Sequence, residues 1–116
     1  MPRRVEKPWG HEEIWAETER YVGKVLFIKQ GCRLSLQLHR QKDESIRVAS
    51  GRLKLELEDA SGRLCTEELE PGESRRISVG RRHRFEAVLD TELVEVSTPE
   101  LDDVVRLEDD YGRRDP

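Results

Sequence analysis

The sequence predicts a small all-β domain, and three features carry that prediction. Short segments alternate apolar and polar residues, which is the pattern of strands with one buried face. Turn residues, above all glycine, separate these segments at regular intervals. No stretch of comparable length repeats its apolar residues at the helical period. Many short strands spaced in this way are typical of a sandwich, jelly roll or barrel.

The strand candidates follow one another from residue 21 onward. They are the segments 21–29, 33–41, 45–50, 52–58, 73–79, 83–89 and 91–98. In segment 52–58 the leucines at 53, 55 and 57 share one face while charged residues occupy the other, so one face should be buried. The segment 101–113 is less regular and is compatible with one short helical turn. No linker or repeat divides the chain, so residues 1–116 should form a single domain.

Composition and charge exclude several classes of protein. Charged residues make up 40% of the chain and hydrophobic ones 34%, but the apolar residues lie in alternating runs that a disordered chain would lack. The net charge of −4 offers no basic surface to a nucleic acid. The N-terminus has no apolar targeting segment and no run approaches the length of a membrane span. Two cysteines without metal-binding spacing complete the expectation of a cytoplasmic protein.

Residues 33–45, with the sequence RLSLQLHRQKDES, place ligand-type side chains on one face of a predicted strand. The odd positions carry Arg33, Ser35, Gln37, His39 and Gln41, and the even positions 34, 36 and 38 are leucine. The polar row is either a solvated surface or the lining of a pocket. In a barrel, the leucine row would pack outward against a second sheet or a second subunit.

A set of possible metal ligands lies around this strand. His39 and Gln41 share a face, a turn through residues 42 and 43 could bring Glu44 to the same space, and His83 follows on a later strand. Imidazole, amide and carboxylate groups suit divalent zinc, manganese, iron, nickel or cobalt. Taken alone, so short a pattern is more often surface polarity than a metal site.

The glycines around these residues give the pattern more weight. G-x7-H-x-Q-x2-E-x6-G runs from residue 31 to 51, and G-x7-G-x2-H runs from 72 to 83. Both blocks resemble the motifs of the cupin superfamily, which implies a small double-stranded β-helix barrel of the jelly-roll type. The resemblance places His39, Glu44 and His83 at three of the four usual ligand positions. Gln41 stands where the second histidine of the first motif is usual.

Three further blocks narrow the resemblance. KPWGHEEIW (7–15), RLSLQLHRQKDESIRVASG (33–51) and DDVVRLEDDYGR (102–113) are similar to the C-terminal domain of type II phosphomannose isomerases. The likeness runs from about residue 7 to residue 113, which should be the core of the domain. Other phosphomannose isomerases hold zinc through Gln, His, Glu and His side chains. The resemblance therefore implies a zinc site made by His39, Gln41, Glu44 and His83.

The resemblance also implies a reaction, the interconversion of mannose 6-phosphate and fructose 6-phosphate through an enediol. Arg33 and Arg84 are the candidates for binding the phosphate, and Gln37 is the candidate for binding sugar hydroxyls. Lys42 follows the ligand pair and is the candidate catalytic residue. Asp43 or a metal-bound hydroxide are alternatives for the proton-transfer base.

Two other functions remain open on the sequence alone. A cupin with the same site could bind a sugar or sugar nucleotide without converting it, and it could also carry other metal chemistry, such as that of a dioxygenase. The leucine row opposite the ligand row further predicts a homodimer. The expected partner molecules are thus a sugar phosphate and a second copy of the chain, with no nucleic acid and no membrane.

Overall fold

The structure is a computed structural model that describes residues 2–113, in which eleven strands form two antiparallel sheets. In chain order the strands are β1 (Arg3–Lys7), β2 (Gly10–Glu17), β3 (Val22–Ile28), β4 (Leu36–Leu38), β5 (Glu44–Ser50), β6 (Leu53–Glu58), β7 (Leu64–Leu69), β8 (Ser74–Ile77), β9 (His83–Ala87), β10 (Thr91–Ser97) and β11 (Val105–Glu108). None of the described residues forms a helix that could cross a membrane.

The two sheets face each other and enclose one core. The six-stranded sheet has the order β1-β2-β3-β10-β5-β8, and the five-stranded sheet has the order β11-β4-β9-β6-β7. Since consecutive strands often belong to different sheets, the chain passes repeatedly from one layer to the other. That is the winding of a jelly roll, and it confirms the all-β prediction.

The alternation seen in the sequence determines which side chains fill the space between the sheets. On β6 the three leucines are buried, and their charged neighbours point to the more exposed side. The same alternation on β3, β5 and β10 buries every second residue. The resulting core cluster contains Trp9, Leu26, Ile28, Leu34, Ile46, Val48, Leu53, Leu55, Leu57, Leu69, Ile77, Phe85, Ala87 and Leu93.

Six of the seven strand candidates are found at or near their predicted bounds, and the seventh is much shorter than expected. Segment 33–41 was predicted as one strand, but β4 covers only Leu36–Leu38, with a single bridge from Arg33 to Glu86 before it. Strands β1, β2, β7 and β11 were not among the candidates. The expectation of a helical turn in 101–113 is wrong, because β11 occupies the middle of that segment.

The leucine row of segment 33–41 does not form an outer face. Leu34 and Leu36 are buried within the single chain and Leu38 is half-buried. Leu34 belongs to the core, while β11 pairs with β4 beside Leu36 and Leu38. This row therefore needs no second subunit to cover it, and the homodimer stays a prediction.

The turn between β5 and β6 depends on Gly51. Its φ of 88° lies in the left-handed region, and a Cβ atom there would collide with the Asp90 carbonyl oxygen and with Thr91. Gly72, with a φ of 93°, has the same kind of backbone but no atom within 4 Å of an added Cβ. The two positions therefore separate the cost of the backbone conformation from the cost of the collision.

We expect Gly51→Ala to lower the free energy of unfolding by about 3 kcal/mol, because strain and overpacking add. Gly72→Ala should cost about 1 kcal/mol, since only the positive φ is penalised. Urea unfolding followed by circular dichroism measures both values. Equal losses in the two variants would contradict the close approach of the turn to β10.

Candidate metal centre

Three ligand-type side chains converge between the two sheets. His39 directly follows the short strand β4, Glu44 is the first residue of β5, and His83 is the first residue of β9. Strands β4 and β9 belong to the five-stranded sheet, whereas β5 belongs to the six-stranded sheet. The cluster therefore joins both layers, and each of its members sits at or next to a strand end.

The side chains of the cluster are almost fully enclosed and point at one another. Glu44 Oε1 lies 3.5 Å from His39 Nε2 and 3.2 Å from His83 Nε2. The exposed fractions of the three side chains are 2% for His39, 1% for Glu44 and 0% for His83. One ligand atom from each residue lies within 4.8 Å of the others, which is a spacing that could hold a metal ion.

The hydrogen bonds of the two imidazoles decide which nitrogen faces the cluster. The Nδ1 atom of His39 lies against the Asp103 carbonyl oxygen, and that of His83 lies 2.9 Å from the Arg81 carbonyl oxygen. A carbonyl oxygen only accepts, so each Nδ1 must carry the proton and donate. In the neutral ring, Nε2 is then left with a lone pair directed at Glu44.

Three buried acceptors therefore face one another without a donor between them. His39 Nε2, His83 Nε2 and Glu44 Oε1 form no hydrogen bond in the described part of the chain. Buried polar atoms normally have partners, and acceptors that converge in this way are satisfied by a cation. Two imidazoles and one carboxylate suit zinc and the neighbouring divalent metals, so the residues present fit the expected ion.

The charge of Glu44 is stabilised by its surroundings. Burial favours the neutral acid, but the Lys42 ammonium, 3.2 Å from Oε2, opposes it, and the pKa of Glu44 lies well below its ordinary value. The group is therefore a carboxylate at neutral pH, which is the form that binds a metal ion.

A short loop carries His39 and Lys42 inward, and Asp103 holds it. The Asp103 carboxylate accepts hydrogen bonds from the backbone N–H groups of residues 40, 41 and 42. Burial opposes ionisation, but these hydrogen bonds lower the pKa of Asp103. The anchored turn takes the chain out of the strand conformation after Leu38.

Because of that turn, the structure does not support the predicted role of Gln41 as a metal ligand. The prediction assumed that residues 39 and 41 lie on one strand and share a face, but β4 ends before both. Gln41 is exposed, whereas the three clustered residues are buried. Lys42, which strand alternation would have placed on the opposite side from His39, is the residue that turns inward.

Lys42 belongs to a row of buried charges that crosses the six-stranded sheet. Its Nζ lies 3.2 Å from Glu44 Oε2 and 3.1 Å from Glu95 Oε2. Beyond Glu95, the row continues with Lys24 at 3.7 Å and from there to Glu12 at 3.3 Å. Glu12, Lys24, Glu95 and Glu44 lie on the neighbouring strands β2, β3, β10 and β5, and Lys42 lies in the loop before β5. The charges along the row alternate in sign.

The pKa values of Lys42 and Glu95, which form an ion pair in this row, are affected differently by burial. Burial works against the charge of Lys42, but Glu95 and Glu44 outweigh it and raise the pKa of the ammonium. Lys42 is therefore protonated at neutral pH and cannot act as a base. Burial, reinforced by the negative charge of Glu44, raises the pKa of Glu95 above its ordinary value.

A cavity of about 260 Å³ opens beside the cluster. His39, Glu44, Lys42 and Glu95 line it, so groups capable of ligation and of proton transfer share one space. Gln37 also lines the cavity, as its predicted role requires, and its Oε1 accepts a hydrogen bond from Ser35 Oγ at 2.9 Å.

The two arginines predicted to bind phosphate are engaged elsewhere. Arg33 forms a bidentate pair with Asp110, at 2.6 and 2.9 Å. Arg84 is buried, and it donates to the carbonyl oxygens of Leu34 and Glu108 at 3.0 and 3.2 Å. Neither is among the described residues that line the cavity. Both tie the C-terminal segment to the five-stranded sheet, so the structure does not support their predicted role.

The sequence analysis did not identify several charged residues of the cavity, although two of them occupy inward-facing strand positions that could have revealed them. Lys24 stands in a row with Val22, Leu26 and Ile28, and Glu95 stands between Leu93 and Ser97 on an inward face. A charge at a core position of a strand marks a buried partner or a site. The cavity residues Arg3, Lys7, Glu12, Arg106 and Arg113 lie on strands or tails whose placement the sequence pattern did not give.

Comparison with solved structures identifies the fold. KdgF from a Halomonas species superimposes with a TM-score of 0.76 at 20% identity, covering 86% of this chain and 90% of that one. Lactobacillus farciminis oxalate decarboxylase, solved as a formate complex, gives 0.80 at 17% identity over 91% of this chain and 34% of that one. The fold is that of a cupin-type domain, and its buried His-Glu-His cluster lies where the two sheets meet.

Sequence comparison identifies the family. The family model "Mannose-6-phosphate isomerase C-terminal" matches residues 1–109, and this chain belongs to that family. Xanthan biosynthesis protein XanB of Xanthomonas campestris is 35% identical over 96% of this chain. Mannose-1-phosphate guanylyltransferase ManC of Salmonella typhimurium is 36% identical over 97%, and alginate biosynthesis protein AlgA of Pseudomonas aeruginosa is 33% identical over 94%. The chain spans about a quarter of the length of these relatives.

The three histidines of the chain allow a controlled test of metal binding. His39→Ala and His83→Ala each remove one converging acceptor and should weaken binding of a divalent metal at least 100-fold, more than the loss of an outer partner would. His11→Ala should have no effect, because His11 stacks on Phe27 outside the cluster.

Metal content after dialysis, measured by plasma mass spectrometry, gives the readout. We expect about one equivalent in the wild type and in His11→Ala, and less than a tenth of that in the two site variants. Equal metal content in all four proteins would contradict the site.

Proposed function

We propose that this chain is a metal-dependent aldose–ketose isomerase that interconverts mannose 6-phosphate and fructose 6-phosphate, or a related sugar phosphate. The observation that carries the proposal is the convergence of three unpartnered buried acceptors, from His39, Glu44 and His83, beside a cavity that the first two of these residues line. Membership of the mannose-6-phosphate isomerase C-terminal family supports this substrate class. The family and the donor set together favour isomerisation over other cupin chemistry.

The reaction moves a proton between C1 and C2 of the open-chain sugar. A divalent ion held by His39, Glu44 and His83 would supply Lewis-acid polarisation of the substrate carbonyl group. The Lys42 ammonium is fixed by two carboxylates and lines the same cavity. We assign it the role of stabilising negative charge as it develops on the substrate oxygens. Lys42 therefore remains a proposed catalytic residue, but as an ammonium that donates hydrogen bonds and not as a base that accepts a proton.

A different residue is needed to accept the proton. Asp43, an alternative from the sequence, is occupied by Arg76 at 2.9 Å and is not among the described residues that line the cavity. Glu95 lines the cavity, is 3% exposed, and is not one of the three converging ligands. We propose Glu95 as the base that carries the proton between the two carbon atoms.

One observation favours a second candidate, a cupin module that binds a sugar or sugar nucleotide without converting it. The chain corresponds to only about a quarter of relatives that are named for guanylyltransferase activity or polysaccharide biosynthesis. A domain of this kind could serve binding alone, with the cavity retained and no turnover. A direct assay separates the two functions.

We expect the metal-loaded protein to interconvert mannose 6-phosphate and fructose 6-phosphate in a coupled assay. Turnover should fall to background with a chelator and return when one divalent metal is added back, because chelation removes the group that polarises the carbonyl. Saturable binding of the sugar phosphate with no turnover at any metal would establish the binding module instead. Oxygen consumption by an iron-loaded sample would point to dioxygenase chemistry.

Glu95→Gln tests the assignment of the base, with Glu92→Gln as the matched control. Both lie on β10, but Glu92 is on its exposed face. Loss of a general base typically costs 10² to 10⁴ in rate, so we expect kcat to fall by roughly that factor in Glu95→Gln while its metal content stays unchanged. A kcat within a factor of three of the control would exclude this role for Glu95.

A further inference from the structure

Three positively charged residues that line the cavity are half-buried, whereas the residues of the metal cluster are fully buried. Lys7 at the end of β1, Arg106 on β11 and Arg113 near the end of the described chain all line the cavity. We infer that Lys7, Arg106 and Arg113 form a binding site for a phosphomonoester. The inference rests on the proposed function, because it assigns the residues that would hold the phosphate group of that substrate.

The inference depends mainly on the uncompensated charge of Lys7. Lys7 is half-buried and lines the cavity, and among residues 2–113 its ammonium takes part in no ion pair. A lysine that loses part of its hydration is normally compensated by a carboxylate. The negative charge of Glu12 acts on it, but Glu12 is already paired with Lys24 at 3.3 Å.

The electrostatic environment of Lys7 agrees with this geometry. Burial is the largest cause that lowers its pKa. Glu12 opposes that shift, but nearby positive charges add to it, namely Lys24, Arg113 and Arg106. Lys7 is thus held close to other cations with too little negative charge around it, and a bound anion would relieve the repulsion.

The guanidinium of Arg113 is held in place by two contacts at the edge of the site. Its guanidinium pairs with Asp109 at 3.0 Å and lies over the ring of Tyr111, 5.5 Å from the ring centre. Because five donors are available on a guanidinium, a pair with one carboxylate leaves other N–H groups for a second oxygen ligand. Arg106, on strand β11, adds a second guanidinium to the cavity wall.

The charges along the cavity separate into two parts. Along the row of buried charges that starts at the metal cluster, three carboxylates, Glu44, Glu95 and Glu12, alternate with two ammonium groups, Lys42 and Lys24, which leaves one negative charge in excess. At the Lys7 end the excess is positive. A substrate with a reactive carbonyl at one end and a dianionic phosphate at the other matches this polarity.

The test measures binding of inorganic phosphate, mannose 6-phosphate and mannose to the chelated protein by titration calorimetry. Metal is left out so that the anion site is measured apart from catalysis. We expect mannose 6-phosphate and inorganic phosphate to bind and mannose to bind at least 10-fold more weakly. Binding of both anions should weaken as salt is added.

Lys7→Gln and Arg106→Gln should each weaken phosphate binding at least 10-fold. The controls are Lys29→Gln and Arg47→Gln, which remove the same charges from exposed positions outside the cavity and should leave affinity within twofold of the wild type. Thermal unfolding of each variant verifies that it is folded. His39→Ala should keep phosphate affinity while losing metal.

The outcomes separate this inference from the proposed function. Phosphate binding that is absent, or that is equally affected by the site and control variants, would overturn the anion site even if chelator-sensitive turnover is observed. Phosphate binding that depends on Lys7, in a protein that never isomerises the sugar, would support the site and overturn the isomerase. If free phosphate binds at least as tightly as mannose 6-phosphate, the site is one for inorganic phosphate and not for a phosphomonoester.

Discussion

The structure depends on one constraint, that three buried acceptor atoms face one another where the two sheets meet. His39 Nε2, His83 Nε2 and Glu44 Oε1 have no donor between them, and leaving such atoms unpaired in a low-dielectric interior is expensive. Each imidazole is oriented by its other nitrogen, which donates to a backbone carbonyl. The orientation is thus set by the backbone, and the fold keeps the acceptors together at a cost that a bound cation would offset.

The row of alternating charges follows from the same constraint. A carboxylate buried at Glu44 requires compensation, which Lys42 provides, and Lys42 in turn lies against Glu95. The strand order β2-β3-β10-β5 places Lys24 and Glu12 next in line. Replacing buried ion pairs by well-packed apolar residues is often neutral or stabilising, so the row is better explained by chemistry in the cavity than by stability.

The sequence was sufficient to predict the fold class and the three converging residues, but not the other residues that line the cavity. Regular alternation identified the central strands, because their inward faces are apolar. Strands such as β1 and β7, rich in charge and largely exposed, carry no such pattern. The position of Gln41 was mispredicted because an anchor 62 residues away, Asp103, turns the chain after Leu38. Interactions over that separation leave no local trace in a single sequence.

The exclusion of Gln41 bears on the electrostatics of the site. An amide ligand carries no charge, so the charge of the cluster does not depend on it: one carboxylate and two imidazoles around a divalent ion would give a net positive centre. The adjacent Lys42 ammonium makes that end of the cavity more positive still, and Glu95 limits the excess. An environment of this kind stabilises an enediolate more than a neutral sugar, because negative charge develops where the positive groups are already fixed. Under the proposed isomerisation, the cluster and Lys42 would thus supply the positive charge without a fourth ligand from the protein.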